Sequence, residues 1–439
     1  MGIPFYFASL LKTHPGITEP IKKNQPRDVD VLGIDFNCLI HRYLKDEDPI
    51  QSVIQALEYI LLHVCRAKKV ILALDGLVPY AKIVQQRYRR MRVKEQEGPF
   101  DRNQISPDTP YMRDLEREIA LKFPFAILSG TSLPGEGEHK LIHELRKLSD
   151  TERQTICIYG LDADLILICL QHHKLSVLQS FHLLRESSEF NDPKVKHAEF
   201  ATMNIHKLLQ QVPIEISQYI ALSILCFGND FMPNLAMFSL REDGYDRALH
   251  MYQECRRPNL LTSDGRKIFL QYAASKELDV LKERVSLRKR PEEKALLGKN
   301  SSLFIKKYGL HVLDGVTNMV PVVEAYWKTF HWTLWYFQKG VPLNWDWVYP
   351  YSDAPLVTDI SGERETISLK GPLTFTVTNQ LQFIMPKKSL RKTRRLLKYP
   401  DEQYVETRNP WMKKFDWEMK PRISLPWNPT CSLTEVVPL

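Results

Sequence analysis

Residues 155–171 read TICIYGLDADLILICLQ, an apolar stretch that is interrupted by two acids, Asp162 and Asp164. The segment before the acids is continuously apolar rather than alternating, which is typical of a strand buried on both faces of a parallel sheet. Solvated acids rarely interrupt such a stretch in pairs. In an extended segment, residues at i and i+2 project to the same side. The stretch therefore predicts a buried strand that ends in a pair of carboxylates.

Three earlier stretches have the same character, at 29–35, 69–75 and 125–130. Segments with helical periodicity lie between the predicted strands, for example at 50–65 and 138–148. Alternation of strands and helices predicts an α/β fold with a mainly parallel, twisted sheet flanked by helices.

Acids stand where the predicted strands end. Asp35 and Asp75 close the first two strands, Glu136 and Glu138 follow the third through a Pro-Gly pair, and Asp162 and Asp164 follow the fourth through Gly160. Open α/β sheets bind their ligands at the carboxyl ends of their strands. If the four strands are neighbours, these acids form a single site.

Carboxylates at this density repel one another and need positive charge nearby to stay ionised. Ligand sets made only of oxygen suit Mg²⁺ or Mn²⁺, which also bind phosphates. Two such ions about 4 Å apart can activate a water and stabilise the leaving oxygen of a phosphodiester. A solvated loop or a helix cap is the better interpretation of any single acid, but the pair at 162 and 164 inside an apolar run favours a metal site.

A basic segment follows Asp75 and predicts one cationic face of a helix. Lys82, Gln86, Arg89 and Arg90 stand at i, i+4, i+7 and i+8 of this segment. Arginine can bind a terminal phosphate with two hydrogen bonds, and lysine adds a point charge. A solvated helix face is the alternative, but the closeness of the segment to a candidate metal ligand favours phosphate binding.

Two aromatic residues are candidates for stacking on nucleic-acid bases, His41 and Trp345, with Trp347 an alternative to the latter. The aromatic segment 326–337 instead predicts a buried helix, because its spacing suits core packing. The basic run 387–398 fits either a nucleic-acid contact or a solvated loop, and both interpretations stay open.

Composition limits the class of protein. The chain has 439 residues and a net charge of +8, which weakly favours an anionic partner. Its seven cysteines are scattered without a CxxC pair, which favours a reducing compartment and disfavours cysteine-bound zinc. No apolar run approaches the roughly 18–20 residues of a membrane span, and no signal peptide is expected. We expect cytoplasmic residence, with the nucleus as the alternative.

These residues resemble the Xrn-type 5′-to-3′ exoribonucleases, within the wider superfamily of flap-endonuclease-like (PIN-like) 5′ nucleases. The most specific blocks are GEGEHK at 135–140 and YGLDADLI at 159–166. The resemblance is dense over 1–240 and good over 320–357. The other matching blocks are MGIP at 1–4, IDFN at 34–37, LDG at 74–76, QQR at 85–87, GND at 228–230, GVP at 340–342 and YPY at 349–351.

The resemblance implies a role for each candidate residue. Seven acids would hold two Mg²⁺ ions, with Mn²⁺ as an alternative: Asp35, Asp75, Glu136, Glu138, Asp162, Asp164 and Asp230. Lys82, Gln86, Arg89 and Arg90 would bind a 5′-monophosphate, and His41 and Trp345 would stack the first bases. The implied reaction hydrolyses 5′-monophosphorylated single-stranded RNA to nucleoside 5′-monophosphates in RNA decay, mRNA decay included. A monomer without membrane association is expected, and protein partners stay unknown.

The resemblance also implies a division of the chain. Residues 1–240 would form the catalytic domain, 241–311 a partly helical linker, and 312–439 a second, aromatic-rich conserved unit that packs against the first and completes the pocket. Because the chain ends soon after the conserved blocks of the second unit, the resemblance leads us to expect a compact catalytic core, of the kind that a virus or another compact genome would encode.

Two other functions remain open. A flap nuclease or 5′-DNA nuclease would share the carboxylates, although no Gly-rich DNA-binding hairpin follows Asp230. A non-catalytic RNA-binding protein would need none of the acids, and the presence of all seven disfavours it.

Overall fold

The computed structural model of the chain describes residues 2–44, 46–91, 100–190, 192, 194–286, 301–313, 315–361, 371–385, 405–407 and 423–425. The basic run 387–398 therefore lies outside the described residues.

The centre of the fold is one sheet of seven strands in the order β1-β7-β6-β5-β2-β3-β4. Neighbouring strands from β6 through β5, β2 and β3 to β4 run parallel, whereas β7 is antiparallel to both β6 and β1. This confirms the predicted α/β class. The strands are β1 (Thr18–Pro20), β2 (Arg27–Asp35), β3 (Cys65–Ala73), β4 (Ile127–Ser129), β5 (Thr155–Tyr159), β6 (Ser180–Glu186) and β7 (Phe200–Asn204).

Helices cover both faces of this sheet. The helices up to residue 227 are α1 (Tyr6–Thr13), α2 (Phe36–Ile40), α3 (Pro49–Tyr59), α4 (Tyr80–Met91), α5 (Pro110–Lys122), α6 (Gly137–Lys147), α7 (Asp164–Gln171), α8 (Ile205–Gln211) and α9 (Ile216–Phe227). One face packs against α2, α3 and α5 and the other against α1 and α6–α9. Strand β2 serves both cores, since Val31 packs on one side and Leu32 on the other.

Local sequence sets several element ends. Asp48 caps α3 by accepting a hydrogen bond from the backbone N of Gln51 at 3.1 Å, and Thr109 caps α5 in the same way. The segment predicted as one helix over 50–65 is α-helical only to Tyr59, and a π-helical turn, Ile60–Val64, leads directly into β3. Strand β3 therefore begins four residues earlier than predicted, at Cys65 rather than at 69.

The remaining described helices lie in the second half of the chain. They are α10 (Gly244–Glu254), α11 (Ser263–Ser286), α12 (Ser301–His311), α13 (Val320–Lys339), α14 (Val357–Ile360) and α15 (Val377–Ile384). The first three occupy the region predicted as a linker. A separate antiparallel pair joins β8 (Val405–Thr407) to β9 (Ile423–Leu425).

The aromatic segment predicted to be a buried helix forms α13, in which Tyr326, Trp332 and Tyr336 are fully buried. This helix packs against α7 and α9, and α15 packs against α4. Helices of the second half of the chain thus pack against α4, α7 and α9 of the first half. The three-part division at 240 and 311 stays a prediction. None of the described helices is both long and apolar enough to cross a membrane.

Candidate active site

Six of the candidate acids lie at one edge of the sheet. Strands β5, β2, β3 and β4 are adjacent and parallel, so their carboxyl ends meet at this edge. Asp35 ends β2, and Asp75 follows β3. Glu136 occupies the N-cap position of α6 without a side-chain cap, Glu138 lies in the first turn of this helix after the loop from β4, and Asp162 and Asp164 stand at the start of α7. The N-terminal ends of α6 and α7 point at the acids and favour negative charge there.

Two loops of this edge are hydrogen-bonded to each other. The backbone N of Gly137 donates to Asp75 Oδ1 at 2.7 Å, and the backbone N of Asp75 donates to Asn37 Oδ1 at 3.2 Å. Gly76 has no space for a side chain, because a Cβ there would lie 1.9 Å from the carbonyl oxygen of Leu133. These contacts fix the carboxylate of Asp75 relative to the loop that carries Glu136.

A buried lysine holds the same loops together. Lys140 Nζ donates to three carbonyl oxygens, those of Leu74 at 2.8 Å, Gly130 at 2.6 Å and Leu133 at 3.0 Å. Burial lowers the pKa of Lys140 to about 8. Since Leu74 precedes Asp75 in the chain, this ammonium positions the acids without touching them. The motif GEGEHK contains the lysine, but nothing in the sequence indicates its three partners.

Asp230, the seventh acid, reaches the site from a different element. It follows α9 through Gly228, whose φ of +68° is in the region that favours glycine. Its Oδ2 lies 2.9 Å from Lys82 Nζ, and the same ammonium lies 2.6 Å from Glu136 Oε2. Lys82 therefore joins Asp230 to the acids of the sheet edge.

The acids repel one another in a buried environment. Burial and the charge of Asp75 raise the pKa of Asp35 to about 7. Burial and the charges of Asp230 and Asp162 raise the pKa of Asp164 to about 8. Burial also raises the pKa of Glu136 and that of Glu138, the latter well above its ordinary range. The cluster thus has more negative charge than the protein around it balances.

Lys82 is the cation that lies among these acids. Burial alone would lower its pKa, but Asp230 and Glu136 raise it well above the ordinary value, so the side chain is charged. Its ammonium is almost fully buried. This placement differs from the simple phosphate-facing position that the helical spacing predicts.

The residues present fit a divalent cation. Asp35 Oδ1 is buried and has no hydrogen-bond partner among the described residues, and all of the candidate donors are oxygens. Within the part of the chain that the structure describes, no group of three or more His, Cys, Asp or Glu side chains is arranged so that it could hold a metal ion by itself. Mg²⁺ keeps several waters and is usually bound by one or two carboxylates together with substrate phosphates, so it does not require a cage made of protein ligands alone.

The other candidate phosphate-binding residues lie further along α4. Arg89 is exposed, Gln86 is half-buried with its Oε1 unpaired among the described residues, and Arg90 is half-buried. Arg90 donates to the carbonyl oxygen of Ile105 at 3.1 Å and contacts Met385 Sδ at 3.7 Å. Its neighbour Arg87 instead points into the protein, where it donates to the carbonyl oxygen of Phe383 and covers that ring.

His41 lies near these arginines. Its side chain reaches the surface, but the protein around it desolvates the ring, and the positive charges of Arg89, Arg90 and Arg102 add to this effect. Together they lower the pKa of His41 to about 4. The ring is therefore neutral at physiological pH, as a base-stacking surface would be. The sequence predicted the first two arginines as neighbours of the site but not Arg102.

The two candidate tryptophans differ in their surroundings. Trp347 is tied to α13, because its Nε1 donates to Thr329 Oγ1 at 3.1 Å. Trp345 lies next to the first residue of α4, because its carbonyl oxygen accepts a hydrogen bond from the backbone N of Tyr80 at 2.9 Å. Its half-buried ring packs beside Phe375. Trp345 is thus the one placed at the helix that carries the candidate phosphate-binding residues.

Two contacts to the acids were not predicted. Tyr336 of α13 donates from its hydroxyl to Glu136 Oε1 at 2.9 Å, and Cys38 Sγ donates to Asp35 Oδ2 at 3.0 Å. Aromatic spacing predicted only that Tyr336 is buried. The partner of a buried hydroxyl depends on how α13 packs on the sheet, which local sequence does not encode.

Comparison with known families identifies the group to which these residues belong. Residues 1–187 match the family model described as XRN 5′-3′ exonuclease N-terminus, and residues 303–399 match the one described as Xrn1 helical domain. Together the two matches cover more than half of the chain, in the order expected. The chain belongs to the Xrn family. Asp230 lies between the two matched segments, whereas its partner Lys82 lies within the first.

Proteins of yeast and human to which the chain is similar are named 5′-3′ exoribonucleases. The chain is 28% identical over 330 residues to 5′-3′ exoribonuclease 1 of Saccharomyces cerevisiae, covering 60% of this chain and 21% of the relative. It is 25% identical to 5′-3′ exoribonuclease 2 of the same yeast, covering 65% of this chain and 39% of the relative. The human 5′-3′ exoribonuclease 1 is 24% identical, covering 82% and 29%. The Xrn chain thus spans between a fifth and two fifths of these relatives.

The solved structures to which the chain is similar share less of its sequence than the curated relatives do. The catalytic core of Rad2 in complex with DNA substrate aligns with a TM-score of 0.40 and 14% identity, covering 70% of this chain and 81% of that one. Flap endonuclease-1 from Methanococcus jannaschii aligns with a TM-score of 0.35 and 14% identity, covering 62% and 84%. Similarity at this level does not decide the function of the Xrn chain.

Proposed function

We propose that this chain is a 5′-to-3′ exoribonuclease that hydrolyses 5′-monophosphorylated single-stranded RNA to nucleoside 5′-monophosphates. The observation that carries the proposal is the meeting of six acids at one edge of the sheet, joined to Asp230 by Lys82 from the cationic face of α4. Membership of a family whose curated relatives are named 5′-3′ exoribonucleases supports the polarity and the RNA substrate.

The acids are assigned to two divalent cations, Mg²⁺ or Mn²⁺. Bound there, the cations would supply positive charge to the scissile phosphate and make an attacking water more acidic. The protein's own part is to hold the carboxylates in place, through the bond from Gly137 to Asp75 and the bond from Tyr336 to Glu136. Outer contacts of this kind tune both the orientation and the affinity of metal ligands.

The RNA end is assigned to α4 and its neighbours. Arg89 and Arg90 bind the 5′-phosphate from the C-terminal half of the helix, with Gln86 beside them. Lys82 lies one turn closer to the acids and links the phosphate pocket to the metal ligands Glu136 and Asp230. His41 and Trp345 stack the first bases and keep the strand in line with the acids. The chain acts as a monomer in RNA decay, including that of mRNA, in the cytoplasm or the nucleus.

One experiment separates this proposal from a 5′-DNA nuclease with the same carboxylates. Matched single strands of RNA and DNA, each with a 5′-monophosphate and a 3′ label, are incubated with the chain and Mg²⁺. We expect RNA to shorten to mononucleotides, with EDTA stopping the reaction, and DNA to be cut far more slowly. Equal or faster cutting of DNA would favour the alternative, and no cutting of either strand would favour a non-catalytic RNA-binding protein.

A further inference from the structure

A short turn beside α4 exposes an arginine that the proposed function does not use. The turn is the 3₁₀ segment Arg102–Gln104, preceded by Asp101. Between Asp101 and Pro107 every residue except Arg102 is buried, whereas Arg102 is exposed. Its guanidinium has no hydrogen-bond or ion-pair partner among the described residues. The turn therefore presents one cation to solvent from an otherwise buried segment.

The turn is held in a single shape by its own side chains. Asp101 accepts hydrogen bonds from the backbone N of Asn103 at 3.1 Å and from its Nδ2 at 3.0 Å. Ser106 Oγ then donates to the carbonyl oxygen of Asn103 at 2.7 Å. A guanidinium mounted on a rigid, buried turn loses less freedom on binding a ligand than one on a mobile loop.

The turn also touches the candidate phosphate pocket. Arg90 donates to the carbonyl oxygen of Ile105 at 3.1 Å, and the backbone N of Ile105 donates to the carbonyl oxygen of Arg102 at 3.2 Å. Ile105 is thus hydrogen-bonded both to Arg90 of the pocket and to the backbone of Arg102. The lowered pKa of His41, to which Arg89, Arg90 and Arg102 all contribute, agrees with this grouping.

From this placement we infer that Arg102 is a further phosphate-binding residue, which adds a third guanidinium to Arg89 and Arg90 of the candidate phosphate pocket. Its ligand is a phosphate of the RNA, either the 5′-terminal one or the first internal one, since both carry the charge and the oxygens that a guanidinium binds. The inference rests on the proposed function, because it assumes that an RNA end enters beside His41.

An ordinary solvated arginine is the competing interpretation, and salt dependence distinguishes the two. Each phosphate contact to single-stranded nucleic acid contributes about 0.7 to the slope of log affinity against log salt. A surface arginine without such a contact leaves this slope unchanged. Arg66 offers a matched control, because it is exposed and lies at the start of β3, on the opposite edge of the sheet from the acids.

The test measures binding of the full chain to short RNA in EDTA at several KCl concentrations. We expect Arg102→Gln to bind 5′-monophosphorylated RNA roughly 10-fold more weakly, with a slope smaller by about 0.7. Arg66→Gln should match the wild type. A loss confined to 5′-monophosphorylated RNA would assign the terminal phosphate, and an equal loss on 5′-hydroxyl RNA would assign the internal one. Unchanged affinity and slope in Arg102→Gln would overturn the inference.

A second variant covers the case in which Arg102→Gln does not fold. Arg102→Lys keeps the charge but loses the two-pronged geometry, so it should keep the slope and lose several-fold in affinity. Affinity equal to the wild type would overturn the inference here as well. A wild-type chain without any preference for 5′-monophosphorylated RNA would instead contradict the proposed function, so the two failures are distinguishable.

Discussion

The acid cluster and the cationic helix α4 lie side by side, but they are built in different ways. The acids of the sheet edge are positioned by backbone, because parallel strands end together and the loops after β3 and β4 are hydrogen-bonded to each other. The side chains of α4 share one helix yet have different partners: Lys82 contacts two acids, Arg87 contacts Phe383, and Arg89 is exposed. Topology thus determines where the acids lie, whereas side-chain packing determines what each cation of α4 contacts.

The largest effect should come from removing charge at the acid cluster. In Asp162→Asn combined with Asp164→Asn, Mg²⁺-dependent decay of 5′-monophosphorylated RNA should fall by more than about 100-fold, since changes to mere outer-shell partners already cost 10–100-fold. Decay is followed by gel with labelled RNA. Asp28→Asn combined with Asp150→Asn is the matched control, because both residues are exposed acids outside the cluster. Retained decay in the first pair would contradict the assignment of the acids.

Tyr336 tests whether the second half of the chain takes part in the metal site. Tyr336→Phe removes the hydrogen bond to Glu136 Oε1 and should lower activity about 10-fold and raise the Mg²⁺ concentration needed for half-maximal rate. Tyr326→Phe is the control on the same helix, since that hydroxyl donates to the carbonyl oxygen of Leu225 at 2.8 Å. Equal effects of the two substitutions would mean that the loss is one of packing alone.

Arg89 and Arg87 provide the sharpest contrast within α4. Arg89→Ala should reduce the preference for 5′-monophosphate over 5′-hydroxyl ends by roughly 10-fold and leave thermal stability unchanged, because its guanidinium is exposed. Arg87→Met should lower the melting temperature and leave the preference intact, because Arg87 is buried against Phe383. The two quantities are measured by competition decay and by thermal unfolding. If the effects were exchanged, the assignment of the helix faces would be wrong.

The smallest effect concerns the pH dependence of stability. Because the pKa of Asp35 is raised to about 7, the folded chain holds this proton more tightly than the unfolded chain does. Its stabilising contribution is complete below the ordinary aspartate pKa of about 4 and is lost as the pH rises through about 7. In EDTA, the melting temperature should therefore fall a few degrees more between pH 5 and 8 in the wild type than in Asp35→Asn. Parallel curves would contradict the raised pKa.

The comparison also explains what the sequence predicts and what it does not. Continuous apolar strands that end in acids predicted both the α/β class and the neighbourhood of Asp35, Asp75, Glu136 and Asp162, because the positions of strand ends follow from topology. Strands β1, β6 and β7 of the sheet were missed; β6 contains charged and polar residues such as His182 and Arg185 within its span. Pattern alone did not separate these strands from loops.

Side-chain partners were less predictable. Helical spacing placed Lys82, Arg89 and Arg90 on one face, but it could not indicate that Lys82 reaches Glu136 and Asp230 or that Arg102 joins the group. Tyr336 and Lys140 were missed for the same reason, since their partners lie 200 residues away in the chain or are backbone carbonyls. Such contacts depend on tertiary packing rather than on local pattern.

The central claim is that the acid cluster and the cationic helix act as one site that selects a 5′-monophosphate and cuts the adjoining linkage. The direct measurement digests one RNA, labelled along its whole length, that carries a 5′-monophosphate, a triphosphate, a cap or a hydroxyl, with the products resolved to single nucleotides. We predict rapid loss of the monophosphate form alone, with mononucleotides as the product from the first time point. Equal decay of all four ends, or release of short oligonucleotides instead of mononucleotides at the first time point, would contradict the claim.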